Sequence, residues 1–272
     1  MSSPTIGVFD SGFGGLTVLR ELLPLVPGAH YIYLGDTARL PYGSKSQTTI
    51  ARYAVESARF LEARGADQLV IACNTASALA MPEITAAVRI PVAGVIEPVV
   101  RATQLRKPSA DTLILATAAT VQSHAYSASC TAHGLQPTEK ACPLLVPLIE
   151  EGWIDHPVTR DVLRIYLLEA LALCSPQVVI LGCTHYPLIA PLVTETLRSL
   201  NSSAEVIDSA QATARAVQHM LSQDASAASS PANTAPATCE FFATDSVEKF
   251  ARLGSAFLGR PVDHVQLLDL GG

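Results

Sequence analysis

The sequence has 272 residues and a mass of 28.7 kDa, which suits one large domain or two modest α/β lobes. Hydrophobic residues make up 49% and charged residues 15%, and the mean hydropathy is +0.31, so the composition excludes a disordered or fibrous chain. The net charge of −6 is spread along the chain without a basic stripe, which argues against nucleic acid or an anionic membrane as a partner. Even the apolar segment 162–173 carries Arg164 and Glu169, so we expect no membrane span.

The N-terminal residues and the cysteines both point to the cytoplasm. Residues 1–5 lack the charged and apolar regions of a secretory signal peptide, so we expect none. Six cysteines in a chain of this length are too sparse for a disulfide scaffold. We therefore expect reduced thiols in a cytoplasmic protein.

Short apolar runs bounded by Gly, Pro or Asp alternate with helical patterns along the chain. A helix is predicted after Ser46, with Gly65 as its stop. This alternation predicts an α/β fold with mostly parallel sheets, in which ligands bind beyond the carboxyl ends of the strands. The predicted strands are Thr5–Phe9, Tyr31–Leu34, Leu69–Ala72, Val92–Val95, Leu113–Ala116, Val178–Leu181, Glu205–Ile207 and a final one near Glu240–Phe242.

Two segments resemble each other closely. Residues 68–75 and 177–184 each contain a polar residue, an aliphatic strand, a cysteine and a polar residue or pair. A weaker similarity links residues 8–12 with 206–210. The repetition predicts two similar αβ lobes, each with a cysteine on a strand-to-helix turn. The tract from Ser222 to Thr238 has no large apolar residue, and we expect a mobile surface loop there.

The repeated unit places Cys73 and Cys183 on strand-to-helix turns. A free cysteine is often a buried core residue, but both of these are followed by polar residues. A helix that begins at such a turn directs its free N–H groups at the thiol and favours the thiolate. His185 lies two residues after Cys183, where an imidazole can accept the thiol proton.

Other polar residues near predicted strand ends leave two interpretations open. Asp10 opens a glycine-rich turn that lacks the dinucleotide-binding spacing; it either caps a helix or helps to bind a small anion. The same ambiguity, between local structure and ligand binding, applies to Tyr42–Gly43, Thr117 and Thr120, and to the acidic pair Glu150 and Glu151.

Four motifs together resemble the glutamate racemases of the aspartate/glutamate racemase superfamily. They are Ile6–Val18, Leu40–Lys45, Ala72–Ala76 and Leu181–Pro187, and the resemblance runs in order to about Leu268. It implies two facing lobes with the active site in the cleft between them, one formed by residues 1–97 with 209–272 and the other by residues 98–208. The implied activity is interconversion of L- and D-glutamate without a metal or pyridoxal phosphate, which supplies D-glutamate for peptidoglycan.

The resemblance also implies a role for individual residues. Cys73 would deprotonate D-glutamate with help from Asp10, and Cys183 would deprotonate L-glutamate with help from His185 and Glu150. The implied substrate-binding residues are Asp10, Ser11, Tyr42, Gly43, Cys73, Asn74, Thr75, Thr120, Cys183, Thr184 and His185. Two positions depart from the family pattern: Phe13 is larger than usual, and Ala119 replaces a frequent glycine.

The implied partners are the two glutamate enantiomers and, as for some relatives, a peptidoglycan precursor that acts as an activator. The chain is expected as a monomer or homodimer. Three alternatives stay open: racemisation of another acidic amino acid such as aspartate, a zinc-binding regulatory protein that uses Cys73, Cys183 and His185, and a binding protein for acidic amino acids without turnover.

Overall fold

The computed structural model describes residues 3–225 and 236–271. Strands and helices alternate through these ranges. The strands are β1 (Thr5–Asp10), β2 (His30–Gly35), β3 (Gln68–Ile71), β4 (Val92–Gly94), β5 (Asp111–Ala116), β6 (Gln136–Ala141), β7 (Val178–Gly182), β8 (Glu205–Asp208), β9 (Thr238–Ala243) and β10 (Val265–Leu267). The α-helices are α1 (Leu16–Leu25), α2 (Gln47–Ala63), α3 (Asn74–Leu79), α4 (Met81–Ala87), α5 (Ile96–Arg106), α6 (Ala118–Ser123), α7 (Ala125–Ala132), α8 (Leu145–Glu150), α9 (Pro157–Leu171), α10 (Ala190–Ser199), α11 (Ser209–Ala225) and α12 (Val247–Leu258).

The strands form two parallel sheets. The six-stranded sheet has the order β10-β9-β2-β1-β3-β4, and the four-stranded sheet has the order β6-β5-β7-β8. The α/β class and the two sheets predicted from the sequence are thus confirmed. Because all ladders are parallel, the carboxyl ends of the strands in each sheet meet at one edge.

The two sheets share a common arrangement in which β2-β1-β3-β4 corresponds to β6-β5-β7-β8. Cys73 after β3 and Cys183 after β7 therefore occupy equivalent turns. The weaker similarity between Asp10 and Asp208 is not structural, because β1 is an interior strand whereas β8 lies at the sheet edge. The equivalent of the β1 end is the β5 end, which is followed by Thr117.

Local sequence explains several helix boundaries. The Ser46 hydroxyl accepts a hydrogen bond from the Thr49 amide at the start of α2, and Gly65 has a φ of +95° beyond its end. In α12, one face buries Phe250, Leu253, Phe257 and Leu258. The largest core cluster contains residues of both sheets, among them Val8 and Leu181. None of the helices in the described ranges is both long and apolar enough to cross a membrane.

The structure corrects some predicted boundaries. The strand at 240–242 is β9, and it is followed by β10, so it is not the last strand. The helix α11 extends to residue 225 and β9 begins at Thr238, so the predicted loop is shorter at both ends. Residues 226–235 of that tract lie outside the described residues. β6 was not predicted, because its sequence contains Pro137, Glu139 and Lys140 at the edge of the smaller sheet.

Candidate active site

A cavity of about 470 Å³ lies at the carboxyl ends of strands from both sheets. The larger sheet contributes the turns after β1 and β3 and the loop 40–45, and the smaller sheet contributes the segments after β5, β6 and β7. Predicted site residues that line this cavity are Ser11, Tyr42, Gly43, Cys73, Asn74, Thr75, Glu150, Cys183, Thr184 and His185. Both cysteines of the repeated unit therefore line one cavity.

Cys73 caps the N-terminus of α3. Its Sγ accepts a hydrogen bond from the Ala76 amide at 3.4 Å and lies 3.6 Å from the Ser11 hydroxyl oxygen. Burial and the nearby Asp10 charge raise the pKa of the Cys73 thiol to about 12, although the contacts with Ala76 and Ser11 lower it. The sequence predicted that the helix start favours a thiolate at Cys73. The Ala76 amide does lower the pKa of the thiol, but burial raises it by more, so the predicted net effect is wrong.

Cys183 has an imidazole and a carboxylate aligned behind it. His185 Nδ1 lies 3.9 Å from Cys183 Sγ, and His185 Nε2 lies 3.2 Å from Glu150 Oε1. Although burial lowers the pKa of His185, its contacts with Cys183 and Glu150 raise that pKa to about 10. The structure thus places Glu150 against the imidazole, while the adjoining Glu151 is exposed at the cavity.

Asp10 lies behind the cavity wall. Its carboxylate is fully buried, Oδ2 accepts a hydrogen bond from the Gly12 amide at 2.9 Å, and Oδ1 has no hydrogen-bond partner among the described residues. Burial raises the pKa of Asp10, while the His185 charge and backbone amides lower it. The Asp10 carboxyl group is therefore held next to the glycine-rich turn, outside the residues that line the cavity.

Three threonine hydroxyls join the two halves of the site. Thr75 Oγ1 lies 3.1 Å from Thr117 Oγ1 and 3.2 Å from Thr120 Oγ1, and the latter two lie 2.9 Å apart. Thr117 lines the cavity, whereas the predicted Thr120 is fully buried outside the lining. Thr120 therefore stands where it can orient Thr75 and Thr117, and its direct binding of substrate remains a prediction.

Two buried side chains position polar groups of the lining, and neither was identified from the sequence. Tyr126 donates a hydrogen bond to Asn74 Oδ1 at 2.6 Å. Asn74 Nδ2 has no hydrogen-bond partner among the described residues, so it is available to donate to a ligand. Asp36 accepts a hydrogen bond from the Tyr42 hydroxyl at 2.5 Å and pairs with Arg39. The Tyr126–Asn74 pair joins residues that are distant in the sequence, and the Asp36–Tyr42 pair lies in a loop. Neither kind of pair produces a periodic sequence pattern from which it could be predicted.

The alkaline pH dependence of stability should report the His185 contacts. The pKa of His185 rises from 6.5 to about 10 on folding, so protonation stabilises the fold fully below pH 6.5, and this contribution is lost as pH rises toward 10. We expect the stability advantage of the wild type over His185→Gln to shrink across that interval in urea unfolding. The exposed His219→Gln serves as the control. A difference independent of pH would contradict the assignment.

The zinc-binding alternative has no assembled ligand set. Cys183 and His185 lie together, but Cys73 contacts Ser11 on the other side of the site. Within residues 3–225 and 236–271, no group of three or more His, Cys, Asp or Glu side chains is arranged to hold a metal ion.

Comparison with known proteins agrees with this geometry. The profile of the Asp/Glu/hydantoin racemase family matches residues 6–217. The glutamate racemase of Koribacter versatilis is 50% identical over 289 aligned positions, which cover 99% of this chain and 98% of the relative. The crystal structure of glutamate racemase from Francisella tularensis in complex with D-glutamate has a TM-score of 0.89 and 32% identity, and covers 99% of both chains.

A second solved structure carries an additional ligand. Escherichia coli glutamate racemase, in complex with L-glutamate and the activator UDP-MurNAc-ala, has a TM-score of 0.78 and 27% identity, and covers 99% of this chain and 100% of that one. The fold, the two cysteines that line one cavity and these matches define an amino-acid racemase, an isomerase of the Asp/Glu/hydantoin racemase family. Within that family, the chain belongs to the glutamate racemases.

Proposed function

We propose that this chain interconverts L- and D-glutamate by a two-thiol acid–base mechanism and supplies D-glutamate for peptidoglycan synthesis. The observation that carries the mechanism is that Cys73 and Cys183, on equivalent turns of two sheets, line one cavity. Inversion of a stereocentre requires removal of the α-proton on one face and delivery of a proton on the other. A thiol suits both steps because it can act as acid or base.

In the direction from L- to D-glutamate, the Cys183 thiolate takes the α-proton. The C–H bond breaks, an S–H bond forms, and the electron pair stays on the substrate carbon. The Cys73 thiol then donates its proton to the opposite face and becomes a thiolate. The reverse direction exchanges the two roles, with Asp10 assisting Cys73, and with His185 and Glu150 assisting Cys183.

Stabilisation of the carbanion is assigned to polar groups around the substrate. Hydroxyls and amides of Ser11, Asn74, Thr75 and Thr184 are suited to hold the carboxylate and amino groups, because they line the cavity beside the thiols. Tyr42 and Gly43 close the same cavity from the loop 40–45. Exclusion of water by the buried lining strengthens these interactions. The proposed chemistry uses no metal ion or pyridoxal phosphate.

The wider setting of the enzyme is also proposed. Residues 1–97 with 209–272 would form one lobe and residues 98–208 the other. In support of this division, β1–β4, β9 and β10 form one sheet and β5–β8 form the other. We propose a cytoplasmic monomer or homodimer, with a peptidoglycan precursor as a potential activator. The activator complex of the Escherichia coli relative supports a test of UDP-MurNAc-ala.

The test measures inversion and proton exchange at the α-carbon of glutamate and of aspartate. Each enantiomer of glutamate and of aspartate is incubated with the protein in deuterated water, and optical rotation and deuterium content are measured. We expect racemisation with deuterium incorporation for glutamate and little for aspartate. Preferential turnover of aspartate would indicate another racemase of the superfamily, and binding without deuterium incorporation would indicate a binding protein.

A further inference from the structure

Helix α12 extends from the larger sheet to the group of residues behind Cys183. The Phe257 ring meets the His185 ring edge-on at a centroid distance of 4.9 Å, and the Phe13 ring lies 5.7 Å from Phe257 and 6.0 Å from His185. The large Phe13 side chain thus contacts both Phe257 of α12 and the imidazole. The three rings form one aromatic cluster, which helps to fix the orientation of the His185 ring.

The same helix brings a cation to the far side of Glu150. Lys249 Nζ lies 4.0 Å from Glu150 Oε2 and 5.9 Å from the centre of the Phe13 ring. The other oxygen of Glu150 faces His185 Nε2 at 3.2 Å, and His185 Nδ1 faces Cys183 Sγ at 3.9 Å. The side chains of Cys183, His185, Glu150 and Lys249 therefore form a continuous series of polar contacts. The series begins at the cavity and ends at the half-exposed Lys249.

We propose that Lys249 is a positioning residue for proton transfer at Cys183, because its ion pair with Glu150 orients the carboxylate that orients His185. The inference rests on the proposed function. Cys73 has different neighbours, since its thiol contacts Ser11 and the Ala76 amide. Lys249 should therefore affect one of the two proton transfers and leave the other unchanged.

Rates alone cannot separate the two transfers in a racemase. Because the enantiomers have equal free energy, kcat/KM must be the same in both directions for every variant. Substrate isotope effects do separate them. With α-deuterated L-glutamate the isotope effect reports proton abstraction by Cys183, and with α-deuterated D-glutamate it reports abstraction by Cys73.

The experiment compares Lys249→Met with the wild type. Slower transfer at Cys183 makes that step more rate-limiting, so the isotope effect on kcat/KM should rise with deuterated L-glutamate and fall with deuterated D-glutamate. We expect kcat/KM to decrease about two- to fivefold, the range that a partly exposed ion pair supports. Lys249→Arg should restore the wild-type isotope effects, because it restores the charge.

A matched control tests whether loss of any charge on α12 has the same effect. Arg252 is exposed on this helix, and Arg252→Met removes one positive charge without touching the series behind Cys183. We expect its isotope effects to equal those of the wild type. Unchanged isotope effects in Lys249→Met, a shift in the same direction with both substrates, or an equal response of Arg252→Met would each overturn the proposal. Failure of the wild type to racemise glutamate would instead refute the proposed function.

Discussion

Cys73→Ser and Cys183→Ser are each expected to lower glutamate racemisation about 10²–10⁴-fold, the contribution of a positioned acid–base group. A serine hydroxyl has nearly the size of a thiol but does not ionise near neutral pH. Since each direction of the reaction uses both thiols, either substitution should reduce kcat/KM equally for L- and D-glutamate. Circular dichroism at both starting enantiomers measures this loss.

The two variants should differ in partial reactions. Cys183→Ser retains Cys73, the thiol proposed to take the α-proton of D-glutamate, so D-glutamate should still exchange this proton with deuterated water without inversion. Cys73→Ser should show the corresponding exchange with L-glutamate. Cys174→Ser is the control, because Cys174 lies outside the cavity lining and contacts the Ala170 carbonyl. Identical exchange of both enantiomers in both variants would contradict the assignment of one thiol to each face.

Prediction from the sequence was most successful where a short run of residues determines the local structure. The aliphatic runs before Cys73 and Cys183 are buried strands, and each ends at a turn where a polar side chain follows. Because parallel strands end at one edge of each sheet, each cysteine motif predicted polar side chains at such an edge, and the family resemblance predicted that the two edges meet at one site. The resemblance also predicted Glu150 near the second thiol; its carboxylate lies 3.2 Å from His185 Nε2, and its catalytic role stays a prediction.

The remaining features depend on contacts between segments that are distant in the sequence. Tyr126 reaches Asn74 across 52 positions. From a helix near the C-terminus, Lys249 reaches Glu150 and Phe257 reaches His185. No spacing rule relates these residues. The net pKa shift of the Cys73 thiol was also predicted wrongly. Burial raises this pKa and the helix N–H groups lower it, and the stronger of the two effects depends on how completely the turn is buried.

Gly14→Ala is expected to disturb the site strongly although it adds only one methyl group. A Cβ at position 14 would lie 2.3 Å from Thr184 Oγ1 and 2.6 Å from His185 Nδ1, whereas real Cβ atoms essentially never approach other atoms within 3.0 Å. The Thr17 hydroxyl lies within hydrogen-bond distance of both the Gly14 carbonyl and the Thr184 carbonyl and can donate to either. Because Thr17 connects the two turns in this way, they cannot easily move apart to relieve the clash.

The added methyl group must therefore displace Thr184 and the His185 ring, and with them the partner of Cys183. A displacement of about 1 Å in a catalytic group can cost about 10²-fold in rate, and we expect a loss of that order in kcat. Gly12→Ala is the matched control, because its Cβ would meet only the flexible end of Leu40 at 3.1 Å. If circular dichroism shows a folded Gly14→Ala variant with a kcat equal to that of Gly12→Ala, then the packing of the β1 turn against Thr184 and His185 does not determine the geometry at Cys183.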